Sequence, residues 1–254
     1  MSETERPKKK PTTVRQLRER RRVLRSIGAG IGVVGASLLG FFPVLKKWTE
    51  RLRPPGAIEE QPFLAACIKC GQCVQVCPVE AVKLGDLDEG FGVGAPYIDA
   101  RTQACDFSCD AVQCVLACPT GALSHDVDKK EQVRMGLAEL TRPQACLARQ
   151  GKGFKGQARG ANFPGLHRYM EVDRWTPIKI ADHPYDLEIC DLCVRECPIE
   201  EAIYLDRVSR DPMDPARTPV VTDKCVGCGM CEMICPVDEA AITVTIRLMW
   251  EDRT

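Results

Sequence analysis

The sequence predicts an α+β protein of loop-rich tandem modules, preceded by a helical N-terminal segment. Three observations carry that prediction. Fifteen of the sixteen cysteines fall in four short runs, each ended by Cys-Pro. The last cysteine of the first run precedes the second run by 28 positions, and the same 28 separates the third run from the fourth. An apolar stretch of strand length follows each run, so the unit reads as an internal repeat.

The first run is Cys67-Ile-Lys-Cys70-Gly-Gln-Cys73-Val-Gln-Val-Cys77-Pro78, with spacing C-x2-C-x2-C-x3-C-P. Three thiolates on one short loop can wrap the corner of an iron–sulfur cube, and the fourth then points toward a second cluster. Structural zinc sites use separated pairs around one ion, with no use for a third thiol two residues on. The second run holds Cys105, Cys109, Cys114 and Cys118-Pro119, with three residues between its first two cysteines where two are expected. The third holds only Cys190, Cys193 and Cys197-Pro198, and Cys146 is the cysteine left to complete it. The fourth, Cys225, Cys228, Cys231 and Cys235-Pro236, repeats the first spacing. All sixteen thiols are thereby used as iron ligands of four 4Fe-4S clusters. A secreted disulfide framework has no reason to place each run against a Cys-Pro.

A run, a short helix and a short strand, repeated, is the bacterial two-cluster ferredoxin pattern. Each Cys-Pro is expected to open the helix, because a proline at the first helical position gives up an N–H that has no partner there. In that pattern the last thiol of one loop serves the partner loop's cluster. Cys67, Cys70 and Cys73 are then grouped with Cys118, and Cys105, Cys109 and Cys114 with Cys77. In the second module Cys225, Cys228 and Cys231 go with Cys197, and Cys146, Cys190 and Cys193 with Cys235. A nested arrangement, first loop with fourth and second with third, is the alternative; the equal spacing favours tandem pairing. The resulting division is a segment 1–48, a first module 49–130, a second module 131–246 carrying an insertion 147–189, and a tail 247–254.

Aromatics make up 6% of the 254 residues, so large core side chains are scarce and ligation energy is expected to stand in for apolar burial. Residues 1–25 carry ten Lys and Arg against three Asp and Glu, although the whole chain is formally neutral. This basic head and mildly acidic body exclude a nucleic-acid stripe and point to a targeting segment. Arg20-Arg21-Arg22-Val23-Leu24-Arg25, followed by the glycine-rich apolar stretch from Ser26 to Phe42, resembles a twin-arginine export signal. Pro43 is expected to interrupt that stretch, which is short for a bilayer span. Lys46, Lys47 and Trp48 then read as an interfacial boundary. An uncleaved signal serving as an anchor is preferred to a cleaved one or to a basic amphipathic helix.

The stretch between Cys146 and Cys190 is long for a ferredoxin loop. Its basic, glycine-rich part, Gly151 to Gly160, is expected to be flexible, and the whole is either a docking surface or a solvated insertion. His125, His167 and His183 have no ligand-like spacing and are expected at the surface. No nucleophile–base pair, phosphate loop or catalytic carboxylate pair occurs, so the chain reads as an electron carrier without a small-molecule substrate.

The twin-arginine segment, Arg53-Pro54-Pro55-Gly56-Ala57, Phe63-Leu-Ala-Ala-Cys67 and Arg134-Met135-Gly136-Leu137-Ala138 together resemble the MauM/NapG family of ferredoxin-type proteins, from Arg20 to about Val244. The resemblance implies four 4Fe-4S clusters, export by the twin-arginine route and action on the periplasmic side of the membrane. It implies a membrane-embedded quinol-oxidising or ferredoxin-type partner on one side and a periplasmic redox enzyme or cytochrome on the other. A maturation factor for a periplasmic enzyme, or the electron-transfer subunit of a molybdoenzyme, are the alternatives.

Overall fold

The computed structural model describes residues 14–45, 51–86 and 92–246, with the side chains of 14–17 and 38–45 left aside. The expectations for Lys46, Lys47, Trp48 and the tail 247–254 lie outside the described residues. The chain divides into two units, Met1–Lys47 and Trp48–Thr254. In the first, helix α1 spans Val14–Leu45 and continues through Pro43, where an interruption was expected. Val23, Leu24, Ile27, Ile31, Val33 and Val34 all stand exposed on it. Among the described residues no helix is long and apolar enough to cross a membrane.

Near the start of the second unit Arg53-Pro54-Pro55 is buried. The Arg53 guanidinium makes a two-pronged ion pair with Glu60, at 3.0 and 2.6 Å, and donates to the Pro96 carbonyl at 2.7 Å. It also lies 4.9 Å from the centre of the Phe63 ring. Glu60 opens helix α2, Glu60–Ala66, which delivers the chain to the first cysteine run. A planar fork meeting a carboxylate in this way fixes the angle of entry as well as contributing energy.

Four single-turn helices follow: α3 (Gln72–Gln75), α4 (Gln113–Leu116), α5 (Leu192–Arg195) and α6 (Met230–Ile234). Each carries a cysteine and ends one or two residues before the Cys-Pro. The helix therefore precedes the Cys-Pro and does not follow it, contrary to the sequence expectation. Proline cannot donate the next helical hydrogen bond and disfavours helical geometry in the residue before it, so it stops the turn. A residue at positive φ then reverses the chain after each stop: Glu80, Gly121, Glu201 and Glu239.

Strands follow these reversals. β1 (Val82–Leu84) pairs antiparallel with β2 (Pro96–Ile98), and a bridge joins Ala57 to Leu123. The layout recurs in the second half. There β3 (Gly136–Glu139) will pair with the last strand, after the insertion has contributed β4 (Phe154–Gly156), β5 (Leu166–His167), β6 (Ile178–Lys179) and β7 (Tyr185–Leu187). A hairpin of β8 (Ile203–Arg207) and β9 (Arg217–Val221) comes next, and β10 (Thr243–Ile246) closes on β3. Within the insertion β4 pairs with β7 and β5 with β6, so the glycine-rich stretch expected to be flexible is ordered backbone.

The halves do not keep separate cores. One apolar cluster runs from Phe63 and Val79 through Val115 and Tyr169 to Met230, Met233 and Ile234. At the seam the Cys105 N–H donates to the Cys228 carbonyl (3.1 Å), and the Ala104 N–H meets Met233 Sδ (3.1 Å). Arg101 donates to the carbonyls of Glu232, Cys235 and Val237 at 2.6, 3.0 and 2.6 Å, satisfying the open end of α6. Breaking the pair at the entrance leaves a buried charge without its partner, so Arg53→Ala should destabilise the body by about 2–4 kcal/mol. A lowered denaturation midpoint, much larger than that for exposed Lys155→Ala, is the measurement that checks it.

Candidate iron–sulfur sites

The backbone of the first and fourth runs bends in the same places. Lys69 and Gly71 take positive φ in one, and Gly227 and Gly229 at the matching positions of the other. Such residues turn successive peptides around a hollow and aim N–H groups into it. At Gly227 there is no room for a side chain, because a Cβ would fall 2.3 Å from the Gly136 backbone. Gly71 has open space around it, whereas at its counterpart Gly229 a Cβ would fall 2.6 Å from that of Ala100.

Three hollows are walled by cysteines. Cys67, Cys70, Cys73 and Cys118 line one of about 360 Å³. Cys197, Cys225, Cys228 and Cys231 line a second of about 340 Å³, and Cys146, Cys190, Cys193 and Cys235 a third of about 370 Å³. The remaining four thiols also gather, since Cys77 acts electrostatically on Cys109 and Cys114, and Cys114 on Cys105. The sixteen predicted residues thus lie in four groups of three plus one. Cys146, reached in the sequence only by elimination, stands with Cys190 and Cys193.

The chemistry of the donors fits an iron–sulfur centre. Among the described residues no three His, Cys, Asp or Glu converge closely enough for a single metal ion. Burial, then the charges of Cys67 and Cys70, pushes the Cys73 thiol up to about 11. Burial does the same to Cys190, to about 11, and raises Cys114, Cys193, Cys228, Cys105 and Cys231 as well. Thiols packed this way hold their protons until iron enters, and ligation as thiolates releases those protons. The last cysteine of three runs accepts a backbone N–H: Ala81 to Cys77 Sγ at 3.2 Å, Leu123 to Cys118 at 3.5 Å and Ala241 to Cys235 at 3.4 Å. At Cys118 burial alone would raise the thiol, but N–H groups of Leu123, Thr120 and Gly121 outweigh it and hold the thiol low. The hydroxyl of Ser108, between Cys105 and Cys109, is buried without a hydrogen-bond partner in the protein.

The sets also touch in sequence. Cys73 acts on Cys114, Cys228 on Cys105 and Cys193 on Cys231, linking first to second, second to third and third to fourth. Exposure is uneven along this line. Cys70 is the exposed thiol, whereas Cys105, Cys228 and Cys231 at the middle are buried.

A group that sequence reading placed at the surface lies at that middle. His167 is 7% exposed, with Nε2 2.9 Å from Glu196 Oε2 and Nδ1 3.4 Å from Asp106 Oδ2. The second distance is an ion-pair contact, since Nδ1 has no formed hydrogen bond. Tyr169 meets the His167 ring edge-on and stacks flat on His183, 3.9 Å between centres. Tyr185 OH lies 3.0 Å from Tyr169 OH and 3.1 Å from Glu196 Oε1. His125 is exposed as expected. The alternation Leu166-His167-Arg168-Tyr169 was the available signal for a strand with one buried face.

Burial would lower the His167 imidazole, but Asp106 and Glu196 outweigh it and raise it from 6.5 to about 9. A raised value means stability present in full below about 6.5 and lost as pH rises through about 9. Asp106 is held low against its own burial by His167 and Ser108, so its share is lost only on acidification below the usual carboxylate range. The thermal midpoint should fall between pH 6.5 and 9, and this fall should shrink in His167→Gln. Gly227→Ala should cost several-fold more of that midpoint than Gly71→Ala, since both bear the left-handed strain of about 1 kcal/mol and only one a backbone clash.

Comparison with known proteins agrees with this geometry. The profile of the 4Fe-4S dicluster domain matches residues 66–137 and again 189–239. The chain is 37% identical over 232 residues to the ferredoxin-type protein NapG of Escherichia coli (strain K12), covering 89% of this chain and 84% of that one. It is 35% identical over 203 residues to the methylamine utilization ferredoxin-type protein MauM of Methylorubrum extorquens, covering 80% and 76%. To MauM of Methylobacillus flagellatus it is 32% identical over 245 residues, covering 94% and 88%. No solved structure matches the chain. With its cysteine-walled hollows and these relatives, the chain belongs to the NapG and MauM family of ferredoxin-type proteins and is a 4Fe-4S electron-transfer protein.

Proposed function

We propose that the body is two tandem two-cluster modules holding four 4Fe-4S clusters, with all sixteen cysteines as iron ligands. The observation that carries this reading is the gathering of the thiols in four sets, each with three from one stretch and one from its partner run. In the fourth set Cys146 stands in for the member missing from the third run. Such clusters accept and release one electron each, with potentials set by burial and by hydrogen bonds to sulfur.

The chain's own residues supply those settings. Ala81, Leu123 and Ala241 place N–H groups on the sulfurs of Cys77, Cys118 and Cys235. Buried Cys105, Cys228 and Cys231 keep water from the two middle sets, and exposed Cys70 leaves the first set open to a partner. The contacts between sets support a single file from the Cys67 end to the Cys146 end. Electrons would travel it from a membrane-embedded quinol-oxidising protein to a periplasmic redox enzyme or cytochrome.

The periplasmic setting rests on the twin-arginine-like segment and on α1. That helix is basic at Arg18, Arg20, Arg21, Arg22 and Arg25 and exposes its apolar residues, as suits an export signal retained beside a membrane. Relatives named for methylamine utilization, alongside NapG, leave the terminal acceptor to be found by experiment.

Protein purified anaerobically with its four clusters should carry about sixteen irons and as many labile sulfides per chain. Zinc, or about half that iron, would sink the four-cluster reading. With a quinol analogue and membranes holding the donor, Cys70→Ser should slow reduction of the remaining centres several-fold more than Cys228→Ser slows reduction of the first. Equal slowing, or the reverse, would overturn entry at the Cys67 end.

A further inference from the structure

The insertion 147–189 is tied to both middle cysteine runs. Gln103 exchanges two hydrogen bonds with Leu166, its amide standing in for a strand (2.9 and 2.8 Å). Arg168 donates its backbone N–H to Asp106 Oδ2 at 2.9 Å and its guanidinium to the Ser108 carbonyl at 2.7 Å. Arg159 donates to the carbonyls of Arg101 and Met233, both at 2.9 Å. On the other side the Cys190 N–H donates to the Lys152 carbonyl at 3.0 Å. The inner face of the insertion is therefore neither a solvated loop nor a free docking surface.

His167 sits where these ties converge. Asp106 directly follows Cys105 of the second set, and Glu196 directly precedes Cys197 of the third. The imidazole spans the two carboxylates, whose side chains are 1% and 9% exposed against its own 8%. Each ring nitrogen faces an acceptor-only oxygen, which calls for an N–H on both and hence a cation. Glu196 is further fixed by Tyr185, and Asp106 by the Ser108 N–H at 2.9 Å. Little water is present to screen these charges, so each is felt strongly by neighbours.

We propose that His167 is a positioning residue for electron transfer, an imidazolium bridge that balances the acid beside each middle cluster and so sets both their potentials together. This rests on reading the second and third cysteine sets as clusters. Reduction adds one electron and breaks no bond, and a nearby cation favours the reduced form while an unbalanced carboxylate opposes it. Without His167 the two carboxylates stay and the cation goes. Both middle clusters then become harder to reduce, and the outer two do not.

The test uses the full chain loaded anaerobically with its clusters, at pH 7, followed by EPR during a redox titration. In His167→Gln, two of the four centres should show a reduced-to-oxidised ratio about tenfold lower at a fixed potential, equal to about 59 mV for one electron. The other two should stay in place, with iron content unchanged. Four unmoved centres, or four moved alike, would overturn the proposal. Should His167→Gln fail to hold its clusters, Glu196→Gln leaves the cation and removes an acid, so it should move the Cys197 centre the opposite way. No shift there would overturn the proposal equally. A parent protein with far fewer than sixteen irons would instead count against the four-cluster reading itself.

Discussion

Buried thiols that repel one another once ionised are the constraint on which this body depends. Few large aromatics are present to build a core, and cysteines occupy interior positions that Leu or Phe would ordinarily take. Cys105, Cys114, Cys146, Cys228, Cys231 and Cys235 are all buried; Cys105, Cys114 and Cys228 belong to the apolar cluster of Phe63, Met230 and Ile234, and the other three to a second cluster with Ile203 and Ile242. Iron ligation at these positions adds to the energy that holds the interior together, so the fold and the redox centres are one system.

Much of this was legible in the sequence. Equal spacing between runs assigned Cys118 to the first loop and Cys77 to the second, and counting left Cys146 for the third. Both inferences depend on covalent spacing and on the stoichiometry of ligation, which a sequence states directly. The errors share a different origin. The Cys-Pro was read as opening a helix because the N–H argument is local, whereas the helix had already been spent on the preceding turn. His167 was read as surface because its partners, Asp106 and Glu196, are brought to it only by tertiary packing. A single histidine in a loop carries no mark of the two acids that will enclose it.

The two halves illustrate how a repeat can lose its independence. Each retains a hairpin after one run, and its ends meet, through the Ala57–Leu123 bridge in the first half and the β3–β10 pair in the second. Between them, however, the Cys105 loop and α6 have fused through Ala104, Met233, Arg101 and Gly229, where a Cβ would fall 2.6 Å from that of Ala100. Centres in separate domains would drift with a linker. Here the Cys105 and Cys228 loops are held together by backbone hydrogen bonding and by the folded strap, so the distance between them is part of the core.

That fusion has a bearing on synthesis. The face of the first half that carries Ala100 and Ala104 is completed by Met233, near the end of the chain, and by Arg159 on the way. Those partners follow the first half in the chain, so its packing on that side is completed only by residues translated after it.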